Sequence, residues 1–141
     1  MAKKIIITGG LGYIGTQLCK LYSGVSWNHD ITVLDNRFIS GRVNQIRNWN
    51  MEFIQGDILD KELVNELFKD ADVVHHLAGI TNVPKTKSES KPEEDEKIRL
   101  VGIQGTENVL NAIHSKCKII FPSTHVVYEG IDQVKKNINE D

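Results

Sequence analysis

Long apolar runs are missing from this 141-residue chain. No stretch approaches the roughly 20 residues that a membrane-spanning helix needs. The N-terminus, MAKKIIITGG, passes straight into a strand pattern and carries no signal-peptide profile. An excess of basic charge is missing as well. The net charge is −2 and no segment carries a basic stripe, which argues against nucleic acid as the main partner. Cysteine is scarce. Cys19 and Cys117 lie far apart and fit no metal spacing, so they read as two reduced thiols of a cytoplasmic protein. Internal repeats are missing, and no tract is of low complexity beyond one charged loop. What remains is 40% hydrophobic and 26% charged. That is the make-up of an ordinary globular domain, and the length suffices for one domain with a core of its own.

Strand and helix patterns alternate along the chain. Ile5-Ile6-Ile7-Thr8 is a β-branched run ending in glycines, the mark of a buried strand. Residues 13–23 place Ile14, Leu18 and Leu21 at helical spacing. Ile31 to Asp35 forms a second strand, residues 40–48 a weak helix, and Met51 to Ile54 a third strand. Asp60 reads as the N-cap of a helix over 61–69, whose apolar face is Leu63, Val64, Leu67 and Phe68. DVVHHL, 72–77, is a fourth strand. The charged loop 84–97 runs into the acidic first turn of a long helix, 94–115, and residues 118–121 make a fifth strand. The tail, 129–141, is polar and without period. Such alternation indicates parallel βαβ units, with helices on both faces of one sheet.

Against this background the stretch TGGLGYIG, residues 8–15, follows a strand and opens a helix. Glycine has the most backbone freedom to lose on folding, so three of them in register call for a reason. Gly9 permits the tight turn out of the strand. Gly12 leaves room for a pyrophosphate against the backbone. Gly15 lets the helix pack closely on the sheet, and the helix N-terminus offers its N–H groups to phosphate. Asp35 closes the second strand 20 residues after Gly15. A carboxylate there accepts hydrogen bonds from both hydroxyls of an adenosine ribose and repels a 2′-phosphate, which favours NAD over NADP, with Arg37 nearby working against that preference. No Gly-Lys-Ser/Thr follows the glycines, which excludes a P-loop. A methyltransferase built on a glycine turn and a strand-end acid stays open on these two features alone.

Four further stretches stand in order and spacing: Gly56-Asp57-Ile58, His76-Leu77-Ala78-Gly79, Gly105-Thr106-Glu107-Asn108, and Pro122-Ser123-Thr124 followed by Val127-Tyr128. Together with the glycine turn and Asp35 they resemble the extended short-chain dehydrogenase/reductase family, most of all its NAD-dependent nucleotide-sugar epimerases and dehydratases of the UDP-glucose 4-epimerase kind. The resemblance covers nearly the whole chain. It implies an α/β fold, a Rossmann-type doubly wound sheet with five parallel strands in order 3-2-1-4-5. It further implies that Gly9, Gly12, Tyr13, Ile14 and Gly15 border the cofactor, that Asp35 and Asn36 hold the adenosine ribose, and that Asp57 meets the adenine amino group with Ile58 beside the ring. Leu77, Ala78 and Gly79 would line the path to the nicotinamide ribose. Thr124 matches the catalytic Ser/Thr that hydrogen-bonds the reacting oxygen. The implied partners are NAD and a nucleotide sugar, with transient hydride transfer to bound NAD as the first step.

The chain departs from the family in three places. Gly102 stands where an Asn is frequent, Val127-Tyr128 is followed by Glu129 and not Gly, and no Tyr-x-x-x-Lys occurs. That tyrosine is the family's base for the carbinol proton, its pKa lowered by the lysine and the nicotinamide charge; a threonine cannot take this role near neutral pH. Asp141 lies 17 residues after Thr124, short of the roughly two dozen at which the motif is due. Residues 1–141 are therefore expected to be one NAD-binding domain, the N-terminal part of a longer enzyme, with a non-catalytic dinucleotide-binding or regulatory module as the rival reading.

Two other features bear on partners. His75 and His76 are adjacent on a strand and point to opposite faces, so they suit packing and hydrogen bonding better than a shared metal. The long helix carries two apolar stripes: Ile98, Val101, Gly105, Val109 and Ile113 on one face, Leu100, Ile103 and Leu110 on another. One stripe covers the sheet, and the other calls for a second partner, so the chain is expected to self-associate.

Overall fold

A computed structural model describes residues 2–25, 28–80 and 92–123. The elements run β1 (Lys4–Thr8), α1 (Tyr13–Ser23), β2 (Asp30–Asp35), α2 (Ser40–Asn48), β3 (Glu52–Gln55), α3 (Lys61–Phe68), β4 (Val73–His76), α4 (Pro92–Arg99), a π-helical segment (Leu100–Gly105), α5 (Thr106–Ala112) and β5 (Lys118–Ile120). All strand pairs are parallel and the sheet order is β3-β2-β1-β4-β5, as the alternating pattern and the motifs imply.

Pleating sorts the apolar residues into two cores. Ile5, Ile7, Ile31 and Val33 face Cys19 of α1 and Val43 and Ile46 of α2. Ile6, Leu34 and Val74 face Val64 and Phe68 of α3, together with Val101 and Val109 further along. The central strand β1 is buried on both sides from Ile5 to Thr8, which is why it reads as an unbroken β-branched run and not as an alternation. Asp60 caps α3 as expected, its carboxylate accepting the Leu63 N–H at 3.0 Å.

The long helix differs from its sequence reading. It spans 92–112 and ends at Ile113, whose backbone is extended, and it is not α-helical throughout. A π-helical stretch over Leu100–Gly105 interrupts it where two glycines, Gly102 and Gly105, lower the helix propensity. The register change turns Val101, Gly105 and Val109 onto the sheet and leaves Leu100, Ile103 and Leu110 about half exposed, at 49%, 54% and 49%. The two-stripe reading of this helix holds.

From β1 the chain builds outward to β2 and β3, then returns to the other side for β4 and β5. The loops after β1 and β4 therefore part at their carboxyl ends. Such a switch point, with its cleft at the carboxyl ends, is the place where open α/β sheets bind ligands.

Candidate functional site

The glycine turn forms the floor of this crevice. Gly9 has φ +66°, and a Cβ on it would stand 2.8 Å from the backbone of Leu77 and Ala78, so only glycine fits between β1 and β4 at this point. The other glycines divide the work differently from the sequence reading. A Cβ on Gly15 would stand 2.5 Å from the Gly9 carbonyl, so Gly15 lets α1 pack on the turn itself. Contact with the sheet belongs to Gly10, where a Cβ would stand 2.1 Å from Cγ1 of Val33. The helix α1 opens at Gly12 with no side chain capping it and no acidic residue in its first turn. Tyr13 and Ile14, 81% and 63% exposed, flank that opening. An uncapped helix N-terminus at the bottom of a cleft favours an anion.

Charged groups pin the turn from the β2 side. The Asp35 carboxylate, buried at the strand end, accepts the Leu11 N–H at 2.9 Å. It also accepts the Arg37 backbone N–H at 3.0 Å and the guanidinium at 3.2 and 3.4 Å. Four donors fill its roughly four lone-pair sites. The Arg42 guanidinium donates to the Leu11 carbonyl, so both polar backbone atoms of this fully buried residue are held. The Arg37 side chain is 55% exposed and lies near Gly12, so it can leave Asp35 when another donor arrives.

Asn36 and Asp57 meet at the next strand end. The Asn36 amide donates to Asp57 at 2.9 Å, and the other Asp57 oxygen accepts the Leu59 N–H at 3.0 Å. Ile58 turns inward: its side chain is 4% exposed and sits where a Cβ on Gly105 would be, 2.4 Å from Cδ1. Asn108 of α5 donates to the Ile58 carbonyl at 3.0 Å, which ties the loop after β3 to the long helix.

The opposite wall is the loop after β4. Leu77 and Ala78 are half-buried, and both donate their N–H to the Thr8 hydroxyl at 3.0 Å. Gly79 is exposed and borders open space. The paired histidines diverge as expected. His75 meets the Tyr22 hydroxyl at 2.8 Å on the α1 face, and burial together with the Lys118 charge lowers its pKa. His76 meets Thr8 and Thr106 on the other face, and burial lowers its pKa. Among the described residues no three His, Cys, Asp or Glu side chains gather to hold a metal ion, and no helix is long and apolar enough to cross a membrane. Burial raises the Cys19 thiol to about 11, which makes it inert near neutral pH.

The structure thus brings the glycine turn, Asp35, Asn36, Asp57 and the 77–79 loop to one sheet edge. Thr124, Val127 and Tyr128 lie outside the described residues, as do the 129–141 tail and most of the charged loop. Sequence reasoning gave His76 a packing and hydrogen-bonding role without its partners, and missed Gly10, Thr8, Arg42, Thr106 and Asn108 as supports. The Gly-Thr-Glu-Asn stretch was the signal for the last two, but only the fold shows what they hold.

Residues 6–140 match the 3-beta hydroxysteroid dehydrogenase/isomerase family. The chain belongs to that family, within the extended short-chain dehydrogenases/reductases. It is 38% identical over 133 residues to a UDP-N-acetyl-alpha-D-glucosaminuronate decarboxylase of Bacillus cytotoxicus, which covers 91% of this chain and 38% of that protein. It is 35% identical over 147 residues to the CDP-paratose 2-epimerase of Salmonella typhi, 97% of this chain and 41% of that one. Among solved structures, the UDP-glucose-4-epimerase of Stenotrophomonas maltophila with bound NAD and formylated UDP-arabinopyranose aligns with a TM-score of 0.70 at 25% identity, over 94% of this chain and 40% of the other. The chain spans about two-fifths of the length of these relatives.

Proposed function

We propose that this chain is the NAD-binding part of a nucleotide-sugar epimerase or dehydratase, residues 1–141 forming one domain of a longer enzyme. One observation carries the reading: an uncapped helix N-terminus and a buried strand-end carboxylate face the same cleft, joined through the Leu11 N–H. The first suits a pyrophosphate and the second a ribose diol. The relatives named above act on nucleotide sugars, and one is seen with NAD. The residues present fit the cofactor. The amides after Gly12 would hold its pyrophosphate, beside Gly9 and Gly15 and flanked by Tyr13 and Ile14. Asp35 and Asn36 would take the adenosine ribose, Asp57 the adenine amino group, and Leu77, Ala78 and Gly79 the way to the nicotinamide; the Ile58 side chain, expected beside the ring, is instead turned into the core against Gly105.

Bound NAD supplies a hydride acceptor for a carbinol carbon of the sugar. Thr124 orients the reacting oxygen. It does not take the carbinol proton, because an alcohol is far too weak a base near pH 7. None of the three tyrosines has a lysine four residues on. The 141-residue chain is therefore expected to bind cofactor and turn nothing over. Incubation with NAD and a panel of nucleotide sugars, read by mass spectrometry, checks this, and a Thr124-dependent product overturns it. The decisive binding test is calorimetry with both cofactors. NAD should bind more tightly than NADP, since Asp35 repels a 2′-phosphate; equal affinity refutes the role given to Asp35.

We place the protein in the cytoplasm, where its unpaired thiols Cys19 and Cys117 stay reduced. Self-association belongs to the same reading. Leu100, Ile103 and Leu110 form an exposed stripe, and the outer strand β5 ends at Ile120 and leads into Phe121, 37% and 57% exposed. Light scattering should show a species heavier than 15.9 kDa.

A further inference from the structure

His76 is 1% exposed, and the chemistry above gives it no task. Its two ring nitrogens meet two hydroxyls, Nδ1 facing Thr8 Oγ1 at 2.9 Å and Nε2 facing Thr106 Oγ1 at 3.0 Å. The directions of these bonds follow from counting protons. The Thr8 oxygen accepts the N–H groups of Leu77 and Ala78, which uses both its lone pairs. Its own proton is left for Nδ1 of His76, so that nitrogen is an acceptor and the proton of the neutral ring sits on Nε2. Nε2–H then donates to Thr106, whose hydroxyl proton goes to the Gly102 carbonyl at 2.6 Å. Each hydroxyl and the ring N–H then has an acceptor of its own, the Leu77 N–H being shared between the Thr8 hydroxyl and the Thr8 carbonyl at 3.2 Å, and reversing the ring would set two protons against each other at Thr8.

The series joins three elements that local sequence does not connect. Thr8 ends β1, His76 ends β4 in register with it, and Thr106 opens α5 directly after the π-helical segment that supplies Gly102. π-Helical turns inside α-helices recur at functional sites, and here the turn presents a carbonyl to the last hydroxyl of the series.

We propose that His76 is a positioning residue: an imidazole held as its Nε2–H tautomer, which locks the Thr8 hydroxyl onto the Leu77 and Ala78 amides and so couples the loop lining the cleft to the π-helical segment of the long helix. Its bearing on cofactor rests on the reading of residues 77–79 given above; the coupling itself does not. Among the described residues the groups facing the ring are neutral: Thr8 from β1, Thr106 from α5, and the Phe121 ring after β5, stacked at 5.5 Å. Protonation would place a second N–H against the Thr8 hydroxyl, which has no lone pair left to receive it. The coupling is therefore expected to release in acid, and burial, which favours the neutral ring, works in its support.

The test uses the 141-residue chain, labelled with 15N, and three variants. Thr106→Val removes the acceptor for Nε2–H, Thr106→Ser restores it, and His76→Asn keeps an acceptor for Thr8 but cannot reach Thr106. Imidazole nitrogen spectra should show the Nε2–H tautomer for His76 in the parent chain. Thr106→Val and His76→Asn should speed amide exchange at Leu77 and Ala78 and weaken NAD binding, each roughly 3- to 10-fold, the net worth of one hydrogen bond, with Thr106→Ser close to the parent. An Nδ1–H tautomer in the parent, or unchanged exchange at Leu77 and Ala78 in both variants, overturns the proposal. If the tautomer and the exchange behave as stated but no form binds NAD, the coupling stands and the cofactor reading falls.

Discussion

The two walls of the cleft are held by opposite kinds of chemistry. On the β2 side the supports carry charge: Asp35 and Arg37 pair at 3.2 Å, Arg42 holds Leu11, and Asp57 receives Asn36. On the β4 side they are neutral, a series of hydroxyls and one imidazole. Exposure explains the difference. The Arg37 side chain is 55% exposed, so its charge stays partly hydrated and a ligand hydroxyl can replace it. His76 lies inside the second core, where an uncompensated charge would be far more costly. One wall is thus built to exchange partners and the other to keep them.

The harshest break is at the one point where the walls touch. Gly9→Ala puts a Cβ 2.8 Å from the Leu77 and Ala78 backbone at a φ of +66°. Backbone strain and overpacking together should lower stability by about 3 kcal/mol or more, read from the urea midpoint. Acid separates the walls next. Burial lowers the pKa of both His75 and His76 in the folded chain. Below about pH 6.5, the ordinary imidazole value, the unfolded chain takes up protons that the folded chain refuses, so stability falls as pH falls. Above that pH neither contributes. Chemical unfolding from pH 8 to 5 should show this loss, with little effect of added salt because neither network depends on an ion pair. Salt and Arg37→Ala give the smallest effect, confined to the ionic wall. Only the Arg37 half of the pair is exposed, but the buried Asp35 keeps its two backbone N–H donors, so Arg37→Ala should lower stability by about 1 kcal/mol. It should tighten NAD binding a few-fold, about 2- to 5-fold, because two lone-pair sites of Asp35 no longer need clearing. Titration calorimetry checks it, and weaker NAD binding in the variant would make Arg37 a ligand and not a competitor.

Much of the scaffold was legible because its causes are local. A β-branched run, a glycine turn and a strand-end acid 20 residues on each constrain their own neighbourhood, and the alternation of periods constrains the sheet. The Asp60 cap and the bounds of α1 and α2 followed from the same kind of signal. The π-helical segment was not legible. Two glycines permit it, but Gly105 sits there because Ile58, 47 positions earlier, leaves no room for a Cβ.

What the residues by themselves determined is which segments become strands and helices, that the strands run parallel, and the edge where a phosphate and a ribose would be met. Each of these follows from spacing within some 20 residues; the order 3-2-1-4-5 came from the family resemblance. Only the tertiary structure decided which glycine touches the sheet, that Arg37 covers Asp35, and that His76 carries its proton on Nε2. The last two outcomes depend on groups 2, 30 and 68 positions apart meeting within hydrogen-bond distance. The two longer meetings arise only once strand register and helix docking have brought the partners together, because a proton's place is set by the full count of donors and acceptors around it.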